Sequence, residues 1–155
     1  MAMDRSLICS WYELYKNGIF RYALSITKDP GAAEDVLHDT FVKLLSGKMP
    51  RPGMEQAWLY RVARNLCYDR LRIRKREQAH ITPPTASETS FEYIELICSL
   101  SQEEQEIVTL KIAGGLTHRE IGTVLGISAQ AAQKRYERAI SKLREKEDEH
   151  GTQAH

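Results

Sequence analysis

Ser101-Gln102-Glu103-Glu104 and Thr117-His118-Arg119-Glu120 repeat one four-residue signal, and the stretch they open decides the fold of this chain. Each matches the S/T-x-x-E capping box, in which the hydroxyl and the carboxylate satisfy each other's orphan backbone amides, so each predicts a helix start. Gly114-Gly115 predicts the end of the first helix and Gly126 the end of the second. Ser128 then predicts the cap of a third, whose Ala132, Tyr136, Ala139 and Leu143 fall on one stripe. That spacing buries the stripe and turns Gln130, Gln133, Lys134, Arg138 and Lys142 outward. An exposed helix with amides near its start and cations along its length can read base edges and hold phosphates. This end of the chain points to DNA.

Working outward, periodicity fails between Glu77 and Ser90, where Thr82-Pro83-Pro84-Thr85-Ala86-Ser87 has linker chemistry. Phe91, Ile94, Ile97 and Cys98 resume an apolar pattern expected to pack on the helix-turn-helix. Upstream, a long helix is predicted from about Glu55 to Arg76. Trp58, Leu59, Val62, Ala63, Leu66 and Ile73 form its buried side, and Arg61, Arg64, Asn65, Tyr68, Asp69 and Arg72 its polar side. Asp29-Pro30-Gly31 predicts a capped start for an earlier helix that buries Val36, Leu37, Phe41, Leu44 and Leu45 and stops at Ser46-Gly47. Its other face shows Glu34, Asp35, His38 and Asp39. The first helix carries Leu7, Trp11, Leu14, Tyr15, Tyr22 and Ile26, with a break or kink expected at Asn17-Gly18. Between the second and third helices, a proline-stiffened loop exposes Met49.

No strand signal interrupts these patterns. The expected fold is all-α, two small helical domains (1–76 and 91–146) joined by a flexible linker (77–90), with a polar tail (147–155). With no periodic apolar residues in the linker, the two domains are expected to move independently when unbound.

The charge is segregated. A net charge of +1 over 155 residues hides a local excess of six positive charges between Arg51 and Arg76. Such patterning suggests localised nucleic-acid contact more than general polyanion binding. Cys9, Cys67 and Cys98 are odd in number, far apart and without C-x-x-C or paired histidine spacing, which argues against a disulfide framework or a metal site. No stretch approaches the roughly 18 apolar residues of a membrane span, so a cytoplasmic protein is expected. Neither G-x-S-x-G, nor a phosphate-cradling glycine loop, nor H-E-x-x-H occurs, so no enzyme activity, small-molecule substrate or cofactor is expected. Asp35 and Asp39 lie one helical turn apart, but an exposed acidic face explains them better than a catalytic pair.

Ala32-Ala33-Glu34-Asp35-Val36-Leu37-His38-Asp39-Thr40-Phe41, followed by Ala57-Trp58-Leu59-Tyr60-Arg61-Val62-Ala63-Arg64-Asn65, resembles region two of bacterial RNA polymerase sigma factors. Leu100 to Gln105, Gly115-Leu116-Thr117, Glu120-Ile121, Leu125-Gly126-Ile127-Ser128 and Arg135-Tyr136-Glu137-Arg138-Ala139 resemble region four. Two such regions and a short linker are similar to the extracytoplasmic-function group. The resemblance spans about Leu7 to Glu145.

The resemblance implies that Glu34, Asp35, His38 and Asp39 meet a basic coiled coil of core RNA polymerase. It implies that Met49, Asn65 and Asp69 contact minus-ten bases, with Tyr68 beside them and Arg61, Arg64 and Arg72 on backbone phosphates. It also implies that Thr117, Ser128, Gln130, Gln133, Lys134, Arg135, Arg138 and Lys142 face the minus-thirty-five element. Gln133 stands where many relatives carry Lys or Arg, which shifts the expected preference from guanine toward adenine. The implied partners are core polymerase and promoter DNA, with room for an anti-sigma factor. Two other readings remain open on the residues alone: a sigma mimic that titrates an anti-sigma factor or works only beside a second subunit, and a dimeric helix-turn-helix repressor that binds duplex DNA by itself.

Overall fold

A computed structural model describes the backbone of residues 5–47, 50–76 and 99–153 and the side chains up to residue 145. Met49, the 77–90 segment and Phe91 to Cys98 lie outside the described residues. Six helices account for the architecture, and no strand occurs among the described residues. They are α1 (Arg5–Thr27), α2 (Pro30–Leu45), α3 (Glu55–Arg76), α4 (Gln102–Ile112), α5 (His118–Leu125) and α6 (Ala129–Gln153).

Local chemistry sets the helix ends. Asp29 caps α2 by accepting from the Gly31 amide at 3.0 Å, with Pro30 in the first turn, where its missing N–H costs nothing. Both capping boxes form: Ser101 with Glu104 on α4, and Thr117 with Glu120 on α5. Gly126 closes α5 in the left-handed conformation at φ 72°. The turn into α6 is tight because of Gly122: a Cβ there would lie 2.5 Å from the Ile127 carbonyl oxygen. The backbone of α6 stays helical through Gln153.

The first three helices pack around Ile19, Tyr22, Leu24 and Ile26 of α1, Val36, Leu37, Phe41 and Leu44 of α2, and Leu59, Tyr60, Ala63 and Cys67 of α3. Burial pushes the Cys67 thiol up to about 12, so it behaves as a small apolar core group. The last three helices pack around Ile107, Leu110, Leu116, Ile121, Val124, Ala132 and Ala139.

Several sequence expectations are corrected. Asn17-Gly18 does not break α1, which is continuous; Gly18 instead sits buried where the end of α4 approaches closely. Leu7 and Leu14 are exposed because the buried face of α1 is set by Ile8, Ile19, Tyr22 and Ile26. Leu45 is exposed, a quarter-turn round from buried Leu44. Ile73 is exposed at the lip of a groove between α3 and the α1–α2 connection.

The two helical groups, expected to move independently when unbound, are in contact here. In this structure α1 packs on α4 and α3 on α5. A buried polar network, rather than apolar contact alone, joins the two groups: Glu106 of α4 accepts from Tyr22 of α1 and from Arg64 and Tyr68 of α3.

Candidate functional site

On α2, Val36, Leu37 and Phe41 turn to the core, which leaves Glu34, Asp35, His38 and Asp39 together on the exposed side. Arg70 of α3 reaches this face, 3.5 Å from Asp35 and 3.6 Å from Asp39. One guanidinium between two carboxylates relieves their mutual repulsion, and with Glu34 the face keeps a net negative charge. Sequence reading gave Arg70 no role because its partners lie more than thirty positions earlier in the chain. Beside it, a groove of about 590 Å³ is lined by Asp39, Asp69, Arg70 and Arg74 among others.

The polar side of α3 divides into two rows, since residues four apart stand above one another on a helix. Arg61, Asn65 and Asp69 form one row, all exposed; Asp69 is paired with exposed Arg72 one turn on. Arg64 and Tyr68 form the other and are half-buried, with the Arg64 guanidinium 4.8 Å from the Tyr68 ring centroid. Glu106 meets this second row. It is 2% exposed and accepts from Arg64 Nε at 3.0 Å, Tyr68 Oη at 2.5 Å and Tyr22 Oη at 2.7 Å.

Burial first, and then Glu106 by hydrogen bond and charge, push the Tyr68 phenol above its ordinary range. Burial, followed by the charge of Glu106, does the same to Tyr22. Burial, the largest influence, works against the charge on Arg64, but Glu106 with Tyr22 and Tyr68 together outweigh it and the guanidinium is held more firmly cationic. All three remain donors at neutral pH. Arg61 also turns toward the second group, donating to the Thr123 carbonyl at 3.4 Å, and Gln56 donates to that of Gly114 at 2.6 Å.

On α6 the apolar stripe Ala132, Tyr136, Ala139 and Leu143 faces inward, and Gln130, Gln133, Lys134, Arg138 and Lys142 are exposed. Gln133 donates to Glu137 at 3.2 Å. Half-buried Arg135 lies 3.8 Å from Glu103, and Lys142 lies 2.8 Å from Glu104. The Lys142 hydrogen bond holds the Glu104 carboxyl below its usual range. Thr117 and Ser128 both act as caps, accepting from Glu120 N and Ala131 N at 3.1 Å each.

Sequence reading missed Glu106. Glu106 ends the polar run that begins at Gln102, next to Ile107-Val108, so nothing along the chain sets it apart from its neighbours, and what lay opposite it could not be read. Among the described residues, no group of three or more His, Cys, Asp or Glu could hold a metal ion, and no helix is long and apolar enough to cross a membrane.

Two family models match in sequence order: Sigma-70 region 2 over residues 11–77 and Sigma-70, region 4 over residues 90–143. The ECF RNA polymerase sigma factor SigE of Mycolicibacterium smegmatis is 27% identical over 92% of this chain, which spans 63% of that relative's length. The ECF RNA polymerase sigma factor SigL of Mycobacterium tuberculosis is 26% identical, over 92% of this chain and 90% of its own length. Among solved structures, the sigma factor RpoE of Bartonella quintana, crystallised with the anti-sigma factor NepR, superposes with a TM-score of 0.73. It is 21% identical, and the match covers 88% of this chain and 94% of that one. That likeness is one of fold.

Proposed function

Because the chain belongs to the extracytoplasmic-function group of RNA polymerase sigma factors, we propose that it directs core polymerase to promoters by engaging both of their elements. Residues 1–76 dock on polymerase and hold the minus-ten element, and residues 91–146 read the minus-thirty-five element. Glu34, Asp35, His38 and Asp39 form the docking face. Asn65 and Asp69 contact minus-ten bases, with Met49 and Tyr68 beside them and Arg61, Arg64 and Arg72 on the backbone. Gln130, Gln133, Lys134 and Arg138 enter the duplex at minus thirty-five, flanked by Thr117, Ser128, Arg135 and Lys142. The polymerase supplies all of the chemistry, in the cytoplasm, and an anti-sigma factor restrains the chain until its regulon is needed.

The observation that carries this reading is the pair of polar faces, one on α3 and one on α6, held on separate helical groups by buried apolar stripes. Melting costs a few kcal/mol per unstacked step, offset when bases are captured outside the stack. Single strands are held by stacking surfaces in a basic groove, and α3 offers aromatic and cationic groups side by side. Duplex reading instead requires a helix with its first turns free to enter the major groove, and the start of α6 is exposed from Ser128 to Gln130.

Run-off transcription with added core polymerase tests the reading. Discrete promoter-dependent transcripts are expected only when both proteins are present. Core binding without transcripts would mark a sigma mimic, and promoter binding without polymerase would mark a duplex-binding repressor.

A further inference from the structure

Glu106 is a charged group at 2% exposure, and a buried carboxylate is tolerated only when its oxygens are bonded. Each donor it meets comes from the other helical group: Tyr22 Oη, Arg64 Nε and Tyr68 Oη. A guanidinium and a phenol converging on two anionic oxygens is the arrangement by which proteins hold a phosphate. Arg64 and Tyr68 belong to the face assigned above to the minus-ten strand. We propose that Glu106 acts in cis as a stand-in for a nucleic-acid phosphate, clasping α4 over the minus-ten face of α3 until polymerase separates the two groups. The masking half of this proposal rests on that assignment; the clasp itself does not.

The seam around the carboxylate is built for closure. Gly18 lies in the interior of α1, where glycine weakens a helix. A Cβ at that position would sit 3.1 Å from the Ala113 carbonyl oxygen and 3.3 Å from Gly114 Cα, besides meeting the Tyr60 hydroxyl. Glycine therefore lets α1 and the end of α4 touch, and Gln56 bonds to the Gly114 carbonyl in the same contact. When the groups part, Glu106 becomes a hydrated surface carboxylate, while Arg64 and Tyr68 become available to a phosphate. The two arrangements exchange one anion for another at the same donors, as a two-state switch requires.

The test uses the full chain and two variants, Glu106→Ala and Tyr22→Phe, neither of which replaces a residue assigned to DNA. Small-angle scattering reports closure, since a compact chain of this length has a radius of gyration of about 15 Å. Wild type should lie near that value and Glu106→Ala several ångströms above it, with Tyr22→Phe between and helix content unchanged. Fluorescence anisotropy then measures binding of a single-stranded minus-ten oligonucleotide without polymerase. Glu106→Ala should bind about tenfold or more tightly than wild type, and both should transcribe equally once saturated with core. A wild-type chain already extended, or variants that both stay as compact as wild type, would overturn the clasp. Opening without any gain in oligonucleotide affinity would instead overturn the masking and the assignment of Arg64 and Tyr68 to the minus-ten strand.

Discussion

Reversing both Asp35 and Asp39 to Lys separates docking from folding. Each carboxylate is more than half exposed and pairs with Arg70 at 3.5 or 3.6 Å. Exposed ion pairs contribute about 0–1 kcal/mol each. Losing two of them, and facing Arg70 with lysines, should cost the fold no more than about 2–3 kcal/mol, against a typical total of about 5–15 kcal/mol. At a specific interface with a basic partner, like-charge juxtaposition costs several kcal/mol. At about 1.4 kcal/mol per factor of ten, that is on the order of a hundredfold or more in affinity for core polymerase.

The assay is competition with a labelled sigma for core, paired with a thermal melt of the free chain. The double variant should lose the competition while its Tm falls by only about 4–10 °C. Arg70→Ala is the converse: it unpairs both carboxylates, raises the negative charge of the face, and should speed association severalfold at low salt, an effect that fades as salt rises. Unchanged affinity in the double variant would remove this face from the docking site.

Asn65→Ala removes an exposed amide assigned to a minus-ten base, at about 1–3 kcal/mol; permanganate footprinting should show fewer open complexes on duplex promoter and a smaller loss on a pre-melted template, and equal activity on both would refute the assignment. Gln133→Arg exchanges an amide suited to adenine for a guanidinium suited to guanine; selection from a promoter library with holoenzyme should return a changed minus-thirty-five motif, and an unchanged one would mean that α6 lies on DNA in another register. Gly122→Ala forces a Cβ to within 2.5 Å of the Ile127 carbonyl oxygen, an overpacking of about 1–3 kcal/mol; chemical denaturation should show the loss, and promoter binding by the holoenzyme should weaken with it.

What the sequence made legible was local. The Ser101 and Thr117 capping boxes, the Asp29-Pro30 start and the Ala132–Leu143 stripe involve residues within a few positions of one another, so spacing alone carries them. What it hid was tertiary. Gly18 reads as a helix breaker in isolation, and only the arrival of α4 explains a glycine inside a continuous helix. Leu7, Leu14, Leu45 and Ile73 fit an apolar period but are exposed, with no neighbour among the described residues that covers them. The α3 polar face was legible as a face, but not the fact that half of it meets another helical group. Arg70 and Glu106 each act on partners more than thirty residues away, and no pattern along the chain encodes that.

The distant pairings share one origin. Glu103, Glu104 and Glu106 lie within four residues at the start of α4, and they meet Arg135, Lys142 and Arg64 respectively. These three cations come from the two faces proposed for DNA, so one acidic helix start compensates both, and the near-neutral net charge of +1 follows in part from it. The pairs are not equivalent. Glu103 with Arg135 and Glu104 with Lys142 lie within one helical group at partly exposed positions, where ion pairs are weak and easily exchanged for phosphates. Glu106 with Arg64 crosses between groups and is desolvated, so exchanging it requires the groups to part. On the proposed assignment, the α6 cations can exchange their glutamate partners for phosphates without movement between the groups, whereas Arg64 and Tyr68 can reach a melted strand only after the opening that polymerase brings. On that assignment, the places of three glutamates on one short helix set different conditions for the two DNA faces: exposed pairs that yield locally on α6, and a desolvated pair on α3 that yields only when the groups part.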